Sequence, residues 1–275
     1  MGIVRSSLGF APMLRLTLAL LAVSALAACA TTGEGASQDV AVAAQPQTRT
    51  IDRQARERIV REDMLTQMAF WAAEYQTFPN DLEAAQRLAD ALRRGGRADR
   101  AAQVAAEALG RFPDDRTLLT TYGYAQIAAG RPHESLRALA LVAQAEPENW
   151  RVRSALGAAL DQLGRFEEAR RAYQEALAIE PNNARVLTNL GVSYILAGEP
   201  ADAERYLRQA ADQDGAPPEA RQNLAISLAL QGRFDEAERI ERVDLPPAQA
   251  AENMRYLRSL LSDPRRWNDV RGRSG

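Results

Sequence analysis

Enzymatic chemistry needs nucleophiles, general acids and bases, or metal ligands, and this 275-residue chain carries few of them. It has one cysteine, Cys29, and one histidine, His133, and all 34 of its basic residues are arginine. A disulfide within the chain, a zinc site of His and Cys, a P-loop lysine and a Schiff-base lysine are therefore excluded. Neither G-x-G-x-x-G nor G-x-S-x-G occurs. The acidic pairs Glu167-Glu168 and Asp235-Glu236 could share a proton in acid–base work. However, Asp99, Glu134 and Asp202 stand at equivalent places elsewhere, and a feature that recurs at a fixed interval belongs to the scaffold. His133 sits at the same kind of place without a second ligand. No catalytic residue, metal or cofactor is expected. With 34 basic against 36 acidic side chains the formal charge is −2, so no strong field draws the chain to nucleic acid. The arginines near the end (Arg265, Arg266, Arg271, Arg273, beside Trp267) could touch phosphates, but Asp263 and Asp269 dilute them and the segment reads as a solvated tail.

Cys29 has a definite setting. Arg5 and Arg15 precede an uncharged run from Leu16 to Ala27, which is short for a bilayer span and right for a secretory signal. The run closes on Leu26-Ala27-Ala28-Cys29, which resembles a bacterial lipobox. The resemblance implies that residues 1–28 are a lipoprotein signal peptide. Cys29 would then become the mature N-terminus and carry a covalent lipid, its thiol being the nucleophile that the modification needs. More than one acyl chain suffices for stable anchoring, at about 0.8 kcal/mol per buried CH₂. Ala30, in place of an aspartate, favours the outer membrane, with the folded part in the periplasm. Residues 29–51 are small and polar and read as a tether; roughly twenty such residues reach about 25 Å.

The elements behind the recurring acids come from an internal repeat. Gly96, Gly130, Gly164, Gly198 and Gly232 are spaced by 34, as are Pro79, Pro113, Pro147 and Pro181. Leu88-Ala89, Tyr122-Gly123, Leu156-Gly157, Leu190-Gly191 and Leu224-Ala225 keep the same register. Within residues 150–183 the pattern runs Leu156-Gly157-x-x-Leu160, Gly164, Ala169-x-x-x-Tyr173, Ala176, Pro181. This resembles the tetratricopeptide repeat, a 34-residue helix–turn–helix, and implies an all-α solenoid. Small residues on the first helix (A) admit the second (B), glycine supplies the turn, and proline ends helix B. The acids fall in the first turn of helix B, where they favour the helix dipole.

Five units are expected, 82–115, 116–149, 150–183, 184–217 and 218–251, spanning 82–251. The first has Ala105 where an aromatic is common. The fourth has Gly215 where proline is usual, and the fifth breaks at Pro246-Pro247. A capping helix from about Asp52 to Gln76, within residues 52–81, carries Ile59, Met64, Met68 and Trp71. Another, from about Ala248 to Leu261, shows Met254, Leu257 and Leu261, with the C-terminal cap and tail assigned to 252–275.

The family resemblance also implies a concave groove lined by the second, fifth, ninth, twelfth and thirteenth residues of each unit. These are Thr117, Thr120, Tyr124, Ile127 and Ala128, then Arg151, Ser154, Ala158, Asp161 and Gln162. They continue with Arg185, Thr188, Val192, Ile195 and Leu196, then Glu219, Gln222, Ile226, Ala229 and Leu230. Relatives that grip a C-terminal carboxylate use lysines and asparagines, which this face lacks, so an apolar or amphipathic peptide is the expected ligand. Packing of Ile195 and Ile226 on neighbouring helices is the competing expectation.

The stretch from Asn223 to Glu238, with Asp244-Leu245-Pro246-Pro247 and Ala251-Glu252-Asn253-Met254-x-Tyr256-Leu257, is similar to the C-terminal part of the TadD family. These are the tetratricopeptide lipoproteins of the tight-adherence (Flp) pilus machinery. The resemblance implies a non-enzymatic scaffold for pilus assembly, pilotin-like toward the secretin. An assembly lipoprotein of another system (a type IV pilus pilotin or a β-barrel assembly factor) and an adaptor for a cell-wall enzyme stay open as alternatives.

Overall fold

A computed structural model describes residues 52–262. Leu26, Ala27, Ala28, Cys29, the tether and the arginine-bearing tail lie outside the described residues. Within them the chain is all helical: α1 (Arg53–Ile59), α2 (Met64–Thr77), α3 (Leu82–Arg94), α4 (Ala98–Leu109), α5 (Arg116–Ala128), α6 (Pro132–Ala145), α7 (Trp150–Gln162), α8 (Phe166–Ile179), α9 (Ala184–Leu196), α10 (Pro200–Ala211), α11 (Pro218–Leu230), α12 (Phe234–Glu241) and α13 (Pro247–Ser262). Helices α3 to α12 form the five A/B pairs that the period predicts.

The first four A helices each begin at a side-chain cap, and the caps keep the same period. Asp81, Asp115, Asn149 and Asn183 accept hydrogen bonds from the amides of Ala84 (3.1 Å), Leu118 (2.8 Å), Val152 (3.3 Å) and Val186 (3.2 Å). Such caps contribute typically about 1 kcal/mol each. The fifth unit has Pro217 at this place and no side-chain cap. The A-to-B turns are closed by glycines in the left-handed region, Gly164 among them at φ +69°.

The interior of each unit rests on a close approach between its two helices. A β-carbon at Gly123 would lie 2.5 Å from Leu139, one at Gly157 2.6 Å from the Tyr173 ring, and one at Gly191 2.5 Å from Leu207. The first unit pairs Ala89 with Ala105, both fully buried, so a smaller residue on helix B is matched by a larger one on helix A. This explains how Ala105 is accommodated where an aromatic is common.

Neighbouring units approach through the backbones of consecutive A helices (α3 with α5, α5 with α7, α7 with α9, α9 with α11), whereas the backbones of consecutive B helices from α4 to α12 stand further apart, bridged between α10 and α12 by the Arg208–Glu236 ion pair. The A row is therefore the closed, inner side of the curve and the B row the splayed, outer side. Polar bonds tie the units together. Gln86 donates to Asp115 at 3.0 Å, the Ser193 hydroxyl to Asp161 at 2.6 Å, and Arg131 pairs with Asp99 at 2.6 Å.

The N-terminal cap departs from the expected single helix over Asp52–Gln76. It breaks between Ile59 and Met64 because Asp63 takes an extended conformation and caps α2, accepting from the Leu65 and Thr66 amides. Met64 lies 34 residues before Ala98, so α2 occupies the register of a B helix that precedes the first full unit. Its Trp71, 2% exposed, packs with Ile59, Leu88, Ala89, Val104 and Ala105. At the other end α12 is short, because Leu245-Pro246-Pro247 starts α13 early; the helix begins at Pro247, ahead of the 252 boundary expected for the cap. Ala250, Met254, Leu257 and Leu260 are its buried residues, while Leu261 is only half-buried. The register expected for Leu261 therefore belongs to Leu260.

Candidate partner-binding groove

The A-helix face carries the residues predicted for the groove on α5, α7, α9 and α11, and the structure sorts them into three groups. Ser154, Thr188 and Ala229 are buried, which corrects their assignment to an open surface. Ser154 accepts a hydrogen bond from Asn189 of the next A helix at 3.2 Å, and Thr188 donates to the Ala184 carbonyl at 2.7 Å. Unit-to-unit packing covers these positions although their register matches that of exposed ones.

The second group is half-buried and already engaged. Asp161 accepts from the Tyr173 hydroxyl at 2.9 Å and from Ser193 at 2.6 Å. Burial pushes its carboxyl above the ordinary range, and those two hydrogen bonds and the charge of Arg170 offset part of the rise. Tyr124 and Ile127 lean on the Leu139–Val142–Val152 core, and Ile195 on the core around Leu228 and Met254. The competing expectation of packing thus applies to Ile195; Ile226 is half-buried.

The third group is open to a ligand. Thr117, Arg151, Arg185, Ala128, Gln162 and Glu219 are exposed, and Thr120, Ala158, Val192, Gln222 and Leu230 are partly so. Leu196 is 54% exposed. Val192, Ile195, Leu196, Ile226 and Leu230 form an apolar stripe on α9 and α11, whereas the α5–α7 part of the face is hydroxylic and cationic. Residues that the groove reading did not include extend the polar part. Asp90, Arg93, Arg116, Thr121 and Asn149 line one small cavity with Thr117, Thr120 and Tyr124. Arg93 is the twelfth residue of the first unit, so extending the same register one unit back finds it.

The first-turn acids of the B helices serve local pairs. Glu168 bonds Arg165 at 2.7 Å, Glu236 bonds Arg233 at 2.6 Å, and Glu134 accepts from Gln126 at 2.7 Å. Among the described residues no group of His, Cys, Asp and Glu side chains could hold a metal ion, and no helix is long and apolar enough to cross a membrane.

Helix pairs at a 34-residue period, stacked A on A, meet their counterpart in sequence families. Models described as tetratricopeptide or TPR repeat match residues 83–115, 157–198 and 194–262. The chain is a tetratricopeptide-repeat protein. As such it is a protein–protein interaction scaffold in general character. Solved structures agree on the fold. A thermophilic TPR protein of Thermus thermophilus, TTC0263, is 26% identical, covering 66% of this chain and 99% of its own, with a TM-score of 0.54. A MamA structure (MSR-1) is likewise 26% identical over 58% of this chain and 91% of its own, with a TM-score of 0.50. MamA of Desulfovibrio magneticus RS-1 is 20% identical over 58% and 91%, with a TM-score of 0.53, and speaks to the fold alone. No curated protein matches the tetratricopeptide-repeat chain in sequence.

Proposed function

We propose that this tetratricopeptide-repeat protein is a non-catalytic scaffold, lipid-anchored through Cys29 at the outer membrane. Its A-helix groove holds a protein partner during assembly of the tight-adherence pilus, and that partner is the secretin. The observation that carries the scaffold reading is the apolar stripe centred on Leu196, on the face where neighbouring units meet. The pilus reading draws its support from the similarity of three stretches, Asn223 to Glu238, Asp244 to Pro247 and Ala251 to Leu257, to the TadD family. Several residues of that segment close the last repeat. Asp244 pairs with Arg221 at 2.7 Å, Glu241 accepts from Asn253 at 2.9 Å, and Met254 and Leu257 enter the core. The stretches that carry the similarity thus contribute residues that close the last repeat of this chain. The anchor reading rests on Leu26-Ala27-Ala28-Cys29.

Deleting the gene and fractionating membranes tests the assignment. Secretin multimers should be lost from the outer membrane, restored by the wild-type protein and left unrestored by Cys29→Ser. Normal multimers together with normal pili would sink the tight-adherence assignment. Normal multimers with pili missing would move the protein to a later step in assembly.

A further inference from the structure

The groove offers a ligand two unlike ends, and the middle offers few free polar groups. Between them Ser154, Thr188 and Asp161 are satisfied internally, by Asn189, Ala184, Tyr173 and Ser193. At the α5 end a cavity of about 280 Å³ is walled by Arg93, Arg116, Thr117, Thr120, Tyr124 and Glu146, among others. The charges of its wall balance, Arg93 and Arg116 against Asp90 and Glu146; Arg151 lines the adjoining hollow, which shares Glu146 and Asn149 with it and also holds Glu148. Arg93 pairs with Asp90 at 2.7 Å and Arg116 with Glu146 at 3.5 Å. Among the described residues Arg151 has no carboxylate partner; it stacks on Trp150, 4.5 Å from the ring centre. The Arg93 Nε is buried without a hydrogen-bond partner, and its guanidinium lies 5.7 Å from the centre of the Tyr124 ring. The Tyr124 hydroxyl has no partner among the described residues. Burial pushes the pKa of that hydroxyl up, the charges of Arg93 and Arg151 offset part of the rise, and Glu146 adds to it. Arg185 repeats the place of Arg151 one unit on, exposed and, among the described residues, also without a carboxylate partner.

Building on the groove as the partner-binding surface, we propose that it reads a bipartite segment. An acidic side chain of the partner sits at Tyr124 and Arg151, and aliphatic side chains of the same segment lie on Val192, Leu196 and Leu230. A carboxylate there accepts from the tyrosine hydroxyl and the guanidinium, an arrangement stronger than neutral hydrogen bonds. Helix α5 is two A helices from α9 and three from α11. At about 8–10 Å per helix the two ends are roughly 16–30 Å apart. About five to nine extended residues span that distance, so a dodecamer reaches both ends.

The test is selection of random dodecamers displayed on phage with free N-termini, against the full-length protein in detergent micelles. Fusion at the C-terminus removes a terminal carboxylate, so any acid preference must come from side chains. The expected consensus has Asp or Glu toward one end and Leu, Ile or Val toward the other. A synthetic winner should bind at least tenfold more weakly when its acid becomes the amide, or when the protein carries Arg151→Glu, and should lose binding to Leu196→Glu. A consensus without acids, or an acidic one indifferent to Arg151→Glu, overturns the bipartite reading while Leu196 dependence keeps the groove. Absence of any Leu196-dependent enrichment overturns both.

Discussion

Gly157→Ala is expected to destabilise the protein by about 1–3 kcal/mol, the usual cost of overpacking. Helix propensity alone would favour alanine by about 1 kcal/mol. The added β-carbon would lie 2.6 Å from the Tyr173 ring, and the ring has no room to retreat because it is buried and its hydroxyl donates to Asp161 at 2.9 Å. In a Tyr173→Ala background the same exchange should be neutral or stabilising. That background itself costs about 3–5 kcal/mol through the cavity left behind. The double variant reproduces the Ala89/Ala105 pair of the first unit. A double-mutant cycle on urea-unfolding midpoints measures this; equal costs of Gly157→Ala in both backgrounds would remove the A–B close approach as the reason for glycine at that place.

Arg56→Met should release the N-terminal cap, at a cost of about 3–5 kcal/mol if the remaining carboxylates stay buried. Arg56 is 6% exposed and bonds Glu74 at 2.7 Å, Asp81 at 2.6 Å and Glu83 at 3.0 Å, with its guanidinium 5.4 Å from the centre of the Trp71 ring. Burial opposes its charge, but the hydrogen bonds from Arg56 to Asp81, Glu74 and Glu83 more than compensate and push its pKa up, so it stays charged. Burial alone would raise Asp81; the Arg56 hydrogen bond and the Ala84 amide outweigh it and hold the carboxyl below the ordinary range. A carboxyl lowered in the folded state stabilises that state above its unfolded pKa, about 3.9, and loses the contribution as pH falls through the folded value. The cap should therefore open on acidification below about pH 4. Amide hydrogen exchange in α1 and α2 checks both statements. Fast exchange confined to these helices in Arg56→Met at neutral pH is expected, and unchanged protection would show that the cap is held by Trp71 and Ile59 alone.

The repeat and its helix pairs were legible because glycine, proline and the small A-helix residues each answer a backbone or packing constraint that recurs every 34 residues. The same reasoning reaches further than the five units. Pro79 belongs to the proline series, so the helix before it had to be of the B type, as α2 is. The break at Val60–Asp63 was less visible, since Asp63 acts as a cap only when the chain turns there. The groove was legible in register but not in burial. Ser154 and Arg151 both stand at groove positions of the same helix, and only the approach of α9, with Asn189, decides that one is covered and the other open. On α13 Met254 and Leu257 are buried as their spacing predicts, and the next buried position is Leu260, three residues on, in place of Leu261, four residues on.

The central claim is that a partner of the pilus machinery lies on the A-helix face. Placing a photo-crosslinking amino acid at position 196 in living cells tests it most directly, with position 141 of the outer row as the control, where Leu141 is 47% exposed. The account predicts a covalent adduct with the tight-adherence secretin from position 196 and none from position 141. An adduct from position 141 alone, or none from either, would contradict it.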